Sequence, residues 1–333
     1  MPTRTTPGRL RPALGLAALL AAGGCGPTAY KITPIPVDRT LKESVVLDEG
    51  GLAPPKIALV DVQGIIMNRS KPSLFGEGEN PVSLFVEQLD KAAGDPAVKA
   101  LIVRINSPGG GVTASDIMHA ELRRFRARTG RPVTAVMMDV AASGGYYLAC
   151  AADEIVAHPT TVTGSIGVIM QMVSFAGTLS KIGVEADAVT SGRMKAAGSP
   201  LKPLKPEERA LFQEMVDRYY DRFVQVVAEG RPRLSEDRIR ALADGRVYTA
   251  QQALEAGLID RIGTLRSAVA DLKERLGVAR VRVVAYDRPT GFKPNVYAAE
   301  PGAPPQVNLV NIQMPETFLP PAPEFLYLWA PGR

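Results

Sequence analysis

Residues 132–153, PVTAVMMDVAASGGYYLACAAD, pass from a strand pattern to a helix pattern across a single serine. The first half is apolar and rich in valine, as in a strand buried on both faces. The second half, GGYYLACAAD, has the composition of a short buried helix. Ser143 stands at the junction and could be a turn residue, an N-cap or a nucleophile. A helix N-terminus carries partial positive charge that favours a developing oxyanion or alkoxide. Gly144 and Gly145 allow a tight turn and let a substrate backbone come close. On this stretch alone the N-cap and the nucleophile both stay open.

Working outward, strand and helix patterns alternate. KIALVDVQGII (56–66) and VKALIVRINSP (98–108) are continuous apolar runs, and PVSLFVEQLDKAAGD (81–95) between them is helical. VTASDIMHAELRRFRART (112–129) repeats apolar residues at helical spacing, with Ile117, Met118, Leu122 and Phe125 on one face. EIVAHP and TVTGSIGVIM follow as two more short strands. Such alternation predicts an α/β fold with a largely parallel sheet. The C-terminal part is helical. Its longest helix spans 206–230, opened by Pro206 and Glu207 and closed by Gly230, with a wide apolar stripe from Phe212 to Val227. Shorter helices are predicted at 235–242, 249–256 and 265–276, then a last strand, RVRVVAYD (280–287).

The two ends differ from this middle. Residues 1–24 have a basic start, an apolar stretch too short for a comfortable membrane span, and small residues, as in an export signal. The following Cys25, in LAAGGC, resembles the acylated cysteine of bacterial lipoproteins, although Ala22 stands where that motif prefers leucine. Ordinary secretory cleavage and an uncleaved anchor remain as alternatives. Arg4, Arg9 and Arg11 of this leader supply three of the five surplus positive charges. The remainder has ordinary charge and no basic run with interleaved aromatics, which argues against a nucleic-acid partner. Residues 25–54 show no clear period and read as a tether. After residue 288 the chain is proline-rich, which favours a disordered tail. Yet PETFLPPAPEFLYLWAPGR (315–333) carries the only tryptophan, and docking onto a neighbouring subunit or a membrane is the alternative for it. With Cys25 carrying lipid, Cys150 has no disulfide partner, and its position in YYLACAAD suits a small core residue better than a reactive one.

A second glycine-rich turn, NSPGGGV (106–112), ends the strand before Ser143's own. Its backbone amides could bind an oxyanion, but its spacing matches no nucleotide-binding fingerprint. A serine nucleophile needs a base, and the chain has two histidines. His119 lies on a highly charged helix and is expected to be solvated. His158 follows a strand and precedes a proline. Lys195, in TSGRMKAAGSPLKPL, is the other candidate, because a desolvated lysine can act as a base. No metal-ligand spacing and no cofactor motif is present.

SPGGGV, AASGGYYLA, TGSIGVI, SGRMKAAGSPLKPL and GRVYTAQQALEAGLIDRIG occur in this order. Together they resemble the signal peptide peptidase SppA family, the S49 serine peptidases, in its short single-repeat form, over residues 56–287. The resemblance implies a ClpP/crotonase-like spiral of ββα units within a catalytic domain at 55–288. It implies a Ser143–Lys195 dyad, with Ser165 orienting the lysine and the amides of Gly110 and Gly144 holding the oxyanion. It further implies peptide substrates, cleaved signal peptides among them, and no cofactor. Active sites shared between protomers of a homo-oligomeric ring are also implied, so that serine and lysine of one chain can lie apart. With lipid on Cys25, the catalytic domain would face the periplasm. A crotonase-like acyl-CoA enzyme and a non-catalytic membrane scaffold are the rival readings. Binding of CoA thioesters would mark the first, and replacement of Ser143 or Lys195 the second.

Overall fold

Seven strands lie side by side in one sheet, and at its centre the runs 57–60, 100–103 and 133–137 are largely apolar and buried. The computed structural model describes residues 40–70, 72–73, 76–77, 79–288 and 325–329. The leader, Cys25 and most of the proline-rich tail therefore lie outside the described residues. In chain order the strands of the main sheet are β1 (Lys42–Asp48), β2 (Lys56–Gln63), β5 (Val98–Ser107), β7 (Val133–Ala142), β8 (Glu154–Ala157), β9 (Val162–Gly164), β11 (Val247–Thr249), β12 (Arg261–Ile262) and β13 (Arg282–Asp287). A small hairpin, β3 (Pro72–Ser73) with β4 (Gly76–Glu77), stands apart.

The order across the sheet is β1-β13-β2-β5-β7-β8-β12, and from β13 to β12 every pairing is parallel. Only the edge pairs β1–β13 and β9–β11 are antiparallel. Parallel strands need crossovers, and helices provide them on both faces. On one face α1 (Pro81–Gly94), α2 (Val112–Thr129) and α3 (Gly144–Ala149) bury Phe85, Leu89, Met118, Leu122, Phe125 and the Tyr146–Ala149 run. On the other, α8 (Leu265–Leu276) packs Leu265, Val269 and Leu272 over Ile57, Leu59, Ile102 and Val136. Local signals fix the helix ends: the side chain of Asn80 accepts from the amides of Val82 and Ser83, and Gly130 and Gly277 close α2 and α8 in left-handed conformation.

The remaining helices are α4 (Ala176–Lys181), α5 (Pro206–Gly230), α6 (Glu236–Leu242) and α7 (Ala250–Glu255). The α/β architecture with a helical C-terminal part thus matches the alternation in the sequence. Three features depart from the sequence reading. Within the presumed tether, Lys42–Asp48 is a strand that completes the sheet edge against β13. The apolar stripe of α5 is buried only toward its C-terminal end, at Phe223, Val224, Val226 and Val227, whereas Phe212, Met215 and Val216 stay half-exposed. Within the presumed disordered tail, Phe325–Leu328 forms a strand, β14, inserted between β6 (Gly109–Gly111) and β10 (Ile169–Met170).

Candidate active site

Ser143 sits where β7 leaves the sheet. The strand pairs with β8 over Thr134–Met137 and then diverges to pair with β9 over Val140–Ala142. Asn106 fills the irregularity on the β5 side, its Oδ1 accepting the Val140 amide at 3.1 Å. At the end of this strand Ser143 is held at φ 51°, ψ −116°, a conformation that L-residues rarely adopt. Its amide donates to the Gly164 carbonyl at 2.7 Å, and its carbonyl accepts the Tyr147 amide at 2.8 Å. The side chain does not cap α3. Its Oγ is buried and has no hydrogen-bond partner among the described residues. Ser143 thus occupies the N-cap position without making the side-chain bond of a capping serine.

The glycine turn lies directly beside it. Ser107 Oγ donates to the Gly64 carbonyl at 2.6 Å and accepts the Gly109 amide at 3.1 Å, which fastens the turn to the end of β2. The amide of Ile66 donates to Gly109 O, and that of Gly111 to Ile66 O, both at 2.9 Å. Strand alternation then turns the amide and carbonyl of Gly110 to the other side, where Tyr327 of β14 is its partner. No larger residue fits here. A Cβ on Gly144 would lie 2.3 Å from Ser115 Oγ and 3.2 Å from the Gly110 nitrogen. A Cβ on Gly109 would lie 2.0 Å from the Tyr327 carbonyl oxygen and 2.6 Å from the Gly144 nitrogen. The two glycine turns therefore face one small space, and a carbonyl group already occupies it.

Ser165 is the next neighbour. Gly164 pairs with Ala142, which puts Ser165 beside Ser143. Ser165 is itself at φ 50°, buried, and donates its amide to Arg246 O at 2.8 Å. It lines a cavity of about 530 Å³ together with Tyr220, Leu328 and Trp329.

Lys195 does not join this group. It is exposed, in a run of turns between α4 and α5, and the unpartnered Ser143 Oγ makes no hydrogen bond to it. Four of the five residues singled out for chemistry are thus gathered within one chain and the fifth is not. Among the described residues, ten large apolar side chains are exposed, and eight of them fall between Ile169 and Leu211, the segment that carries Lys195.

The histidines divide differently from the sequence expectation. His119, expected in solvent, is buried against the edge of Tyr147, with ring centroids 5.2 Å apart. Burial, then the nearby Arg123, pushes its pKa down to about 4. The charged residues of α2 mark its outer face, and His119 lies on the inner one. His158 Nδ1 is 3.0 Å from Thr160 Oγ1, a local turn contact away from Ser143's own partners. Cys150 is buried in the core, where desolvation pushes its thiol up to about 12.

An aromatic pocket completes the site, and the sequence reading did not find it. Tyr327 is fully buried, stacked on Tyr147 at 5.1 Å and tilted against Phe223 at 4.7 Å, and its hydroxyl donates to the Tyr219 carbonyl at 2.8 Å. Tyr147 and Phe223 also meet edge to face at 5.0 Å. The one available signal was the clustering of aromatic residues at the C-terminal end.

Known proteins share these segments. The family described as peptidase family S49 matches residues 126–279, a stretch that holds Ser143, Ser165 and Lys195. A protein of Enterococcus faecium named "Putative signal peptide peptidase SppA" is 37% identical over 245 residues, covering 73% of this chain and 71% of its own. Protease 4 of Salmonella typhi is 38% identical over 244 residues, and the match spans 38% of that longer protein. The chloroplastic serine protease SPPA of Arabidopsis thaliana is 37% identical over 246 residues, 36% of its length. Among solved structures, ClpP1 of Listeria monocytogenes aligns over 63% of this chain and 94% of its own, at 18% identity and a TM-score of 0.41. With a relative 37% identical that is covered over 71% of its own length, the chain belongs to peptidase family S49.

Proposed function

We propose that the protein is a serine endopeptidase in which Ser143 is the nucleophile and Lys195 of a neighbouring protomer is the base. The observation that carries this reading is Ser143 itself. A serine held at positive φ, with a buried hydroxyl that bonds to nothing, costs stability at that position and caps no helix. Such cost is common where the residue acts on a substrate.

In the mechanism, the base takes the Ser143 proton as Oγ attacks the scissile carbonyl carbon. The amides of Gly110 and Gly144 hold the oxyanion, and the N-terminal end of α3 adds its partial positive charge. The base then protonates the leaving nitrogen, and water hydrolyses the acyl-enzyme. Ser165 orients the lysine amine. The exposed apolar segment around Lys195 supports a lysine delivered across a subunit boundary, since assembly would cover those side chains and dry the amine. Substrates are extended apolar peptides, including signal peptides released from exported proteins, in keeping with the names of the relatives. Export by the 1–24 leader and lipid on Cys25 would hold the enzyme at the membrane, on its periplasmic side. Among the described residues no helix is long and apolar enough to cross a membrane.

The test is hydrolysis of an apolar fluorogenic peptide by the full chain and by Ser143→Ala and Lys195→Ala. Each substitution should lower kcat at least about a thousandfold, as loss of a nucleophile or its base does. A lysine base gives a rate that climbs toward alkaline pH. A profile centred near pH 6.5 would point to a histidine and overturn the assignment of Lys195.

A further inference from the structure

Lys195 stands in an exposed run of turns, and a base can act only where its amine is held in place. The turns follow one another closely. The Lys195 amide donates to Gly192 O and the Ala197 amide to Met194 O, both at 3.0 Å, and the Ser199 amide donates to Ala196 O at 3.3 Å. A shift at Gly198 therefore passes along these turns to Lys195. Between Asp187 and Glu207 the sequence has no acid. The first turn of α5 brings one against the run.

That acid is Glu208, which is 2% exposed although Glu207 and Arg209 on either side of it lie in solvent. Its carboxylate accepts the Lys202 ammonium and, through Oε2, the Lys205 amide at 3.4 Å. The Lys202 bond first, then the amides of Lys205 and Gly198, hold its carboxyl below the usual glutamate range. Gly198 also packs on α5. Its φ is 73°, and a Cβ there would lie 3.1 Å from the ring of Phe212, about one turn beyond Glu208. A glutamate at this helical position commonly reaches back to the amide that precedes the helix, which accounts for the Lys205 contact. It accounts for neither the burial nor the grip on Lys202 and Gly198. The same run is fastened on its other side, where the Phe175 amide donates to Pro200 O at 2.7 Å and Ser174 Oγ to Lys202 O at 3.3 Å.

We propose that Glu208 is a positioning residue for the peptidase reaction: it clasps residues 198–205 to α5 and so sets where the Lys195 amine stands. The proposal rests on the reading of Lys195 as the base. The pairing with Lys202 has a second consequence. A carboxylate paired with Lys195 would favour the protonated amine, which cannot accept the Ser143 proton. Lys202 keeps the Glu208 carboxylate engaged elsewhere.

Hydrolysis of an apolar fluorogenic peptide by full-length variants tests this. Glu208→Ala should lower kcat by about tenfold to a hundredfold with KM little changed, the cost of a misplaced catalytic group. Glu208→Gln should keep most of the rate, because its carbonyl oxygen can still accept from Lys202 and the amides. After subunit exchange, Glu208→Ala should regain activity with Ser143→Ala, which supplies an intact lysine run. It should gain nothing with Lys195→Ala, since no protomer of that mixture has one. Gly198→Ala, which keeps Glu208 but pushes the run off Phe212, should behave the same way and carries the test if Glu208→Ala does not fold. A wild-type kcat in the folded variant overturns the proposal, as does a glutamine variant as slow as the alanine one or a gain with Lys195→Ala. If Ser143→Ala regains activity with Lys195→Ala but not with Glu208→Ala, the proposal is also overturned and the shared site stands. If Lys195→Ala alone keeps the wild-type rate, the reading of the base fails and this proposal falls with it.

Discussion

His119 shows how one residue's surroundings set its charge. It lies on the inner face of α2 against Tyr147, which also forms a wall of the Tyr327 pocket. Burial and the positive charges of Arg123 and Arg222 disfavour its protonated form, and Asp116 and Glu229 offset this only in part. Its folded pKa of about 4 is below the unfolded value of ~6.5. Between these values the unfolded chain binds a proton that the folded chain does not. Stability therefore falls as pH drops through this window, by up to about 3 kcal/mol. Urea unfolding at about pH 7 and about pH 4.5 should show a larger loss for the wild type than for His119→Leu. Equal losses would mean that the folded protein holds a protonated histidine. Nothing in the sequence separated this histidine from its charged neighbours, because the helix faces are assigned by packing. Ser143, by contrast, was legible as a candidate from two glycines after a buried strand. Its positive φ and its unpartnered hydroxyl were not, since both follow from the divergence of β7 between two neighbours.

At the scale of elements, local pattern found the strands and helices whose signals are local. The stretch VTASDIMHAELRRFRART is α2 from end to end, and the predicted 265–276 helix is α8 with the same bounds. The failures had distant partners. β1 bonds to β13 and β14 bonds to β6, each more than two hundred residues away in sequence, and β14 bonds to β10 more than a hundred and fifty away. Short strands between proline- and glycine-rich segments carry no local sign of such pairing. Distance in sequence also hid an ion pair between adjacent central strands. Asp61 of β2 and Arg104 of β5 are opposite one another, both about 3% exposed, with Arg104 Nε 2.6 Å from Asp61 Oδ1 and Nη2 2.7 Å from Oδ2. Removing Arg104 takes this two-pronged pairing away from a buried carboxylate. Arg104→Ala should cost about 3–5 kcal/mol in chemical denaturation, and replacing both residues with apolar ones should cost markedly less. If the double replacement costs as much as the single one, loss of this pairing beside a buried charge is not what destabilises the protein.

At the scale of the whole molecule, the groove and the lysine are on different footings. The groove is complete in one chain: two glycine turns, a strained serine, Ser165 and an aromatic pocket. Lys195 is exposed on an apolar segment that one chain leaves uncovered. The front of α5, with Phe212, Met215 and Val216, is likewise half-exposed, in keeping with the proposed subunit boundary. The most direct test mixes two inactive full-length variants, Ser143→Ala and Lys195→Ala, and allows their subunits to exchange. Hydrolysis of an apolar fluorogenic peptide should return in the mixture, because some boundaries then join an intact serine to an intact lysine. A mixed oligomer, verified by mass, that stays as inactive as either variant alone would contradict a site shared between protomers.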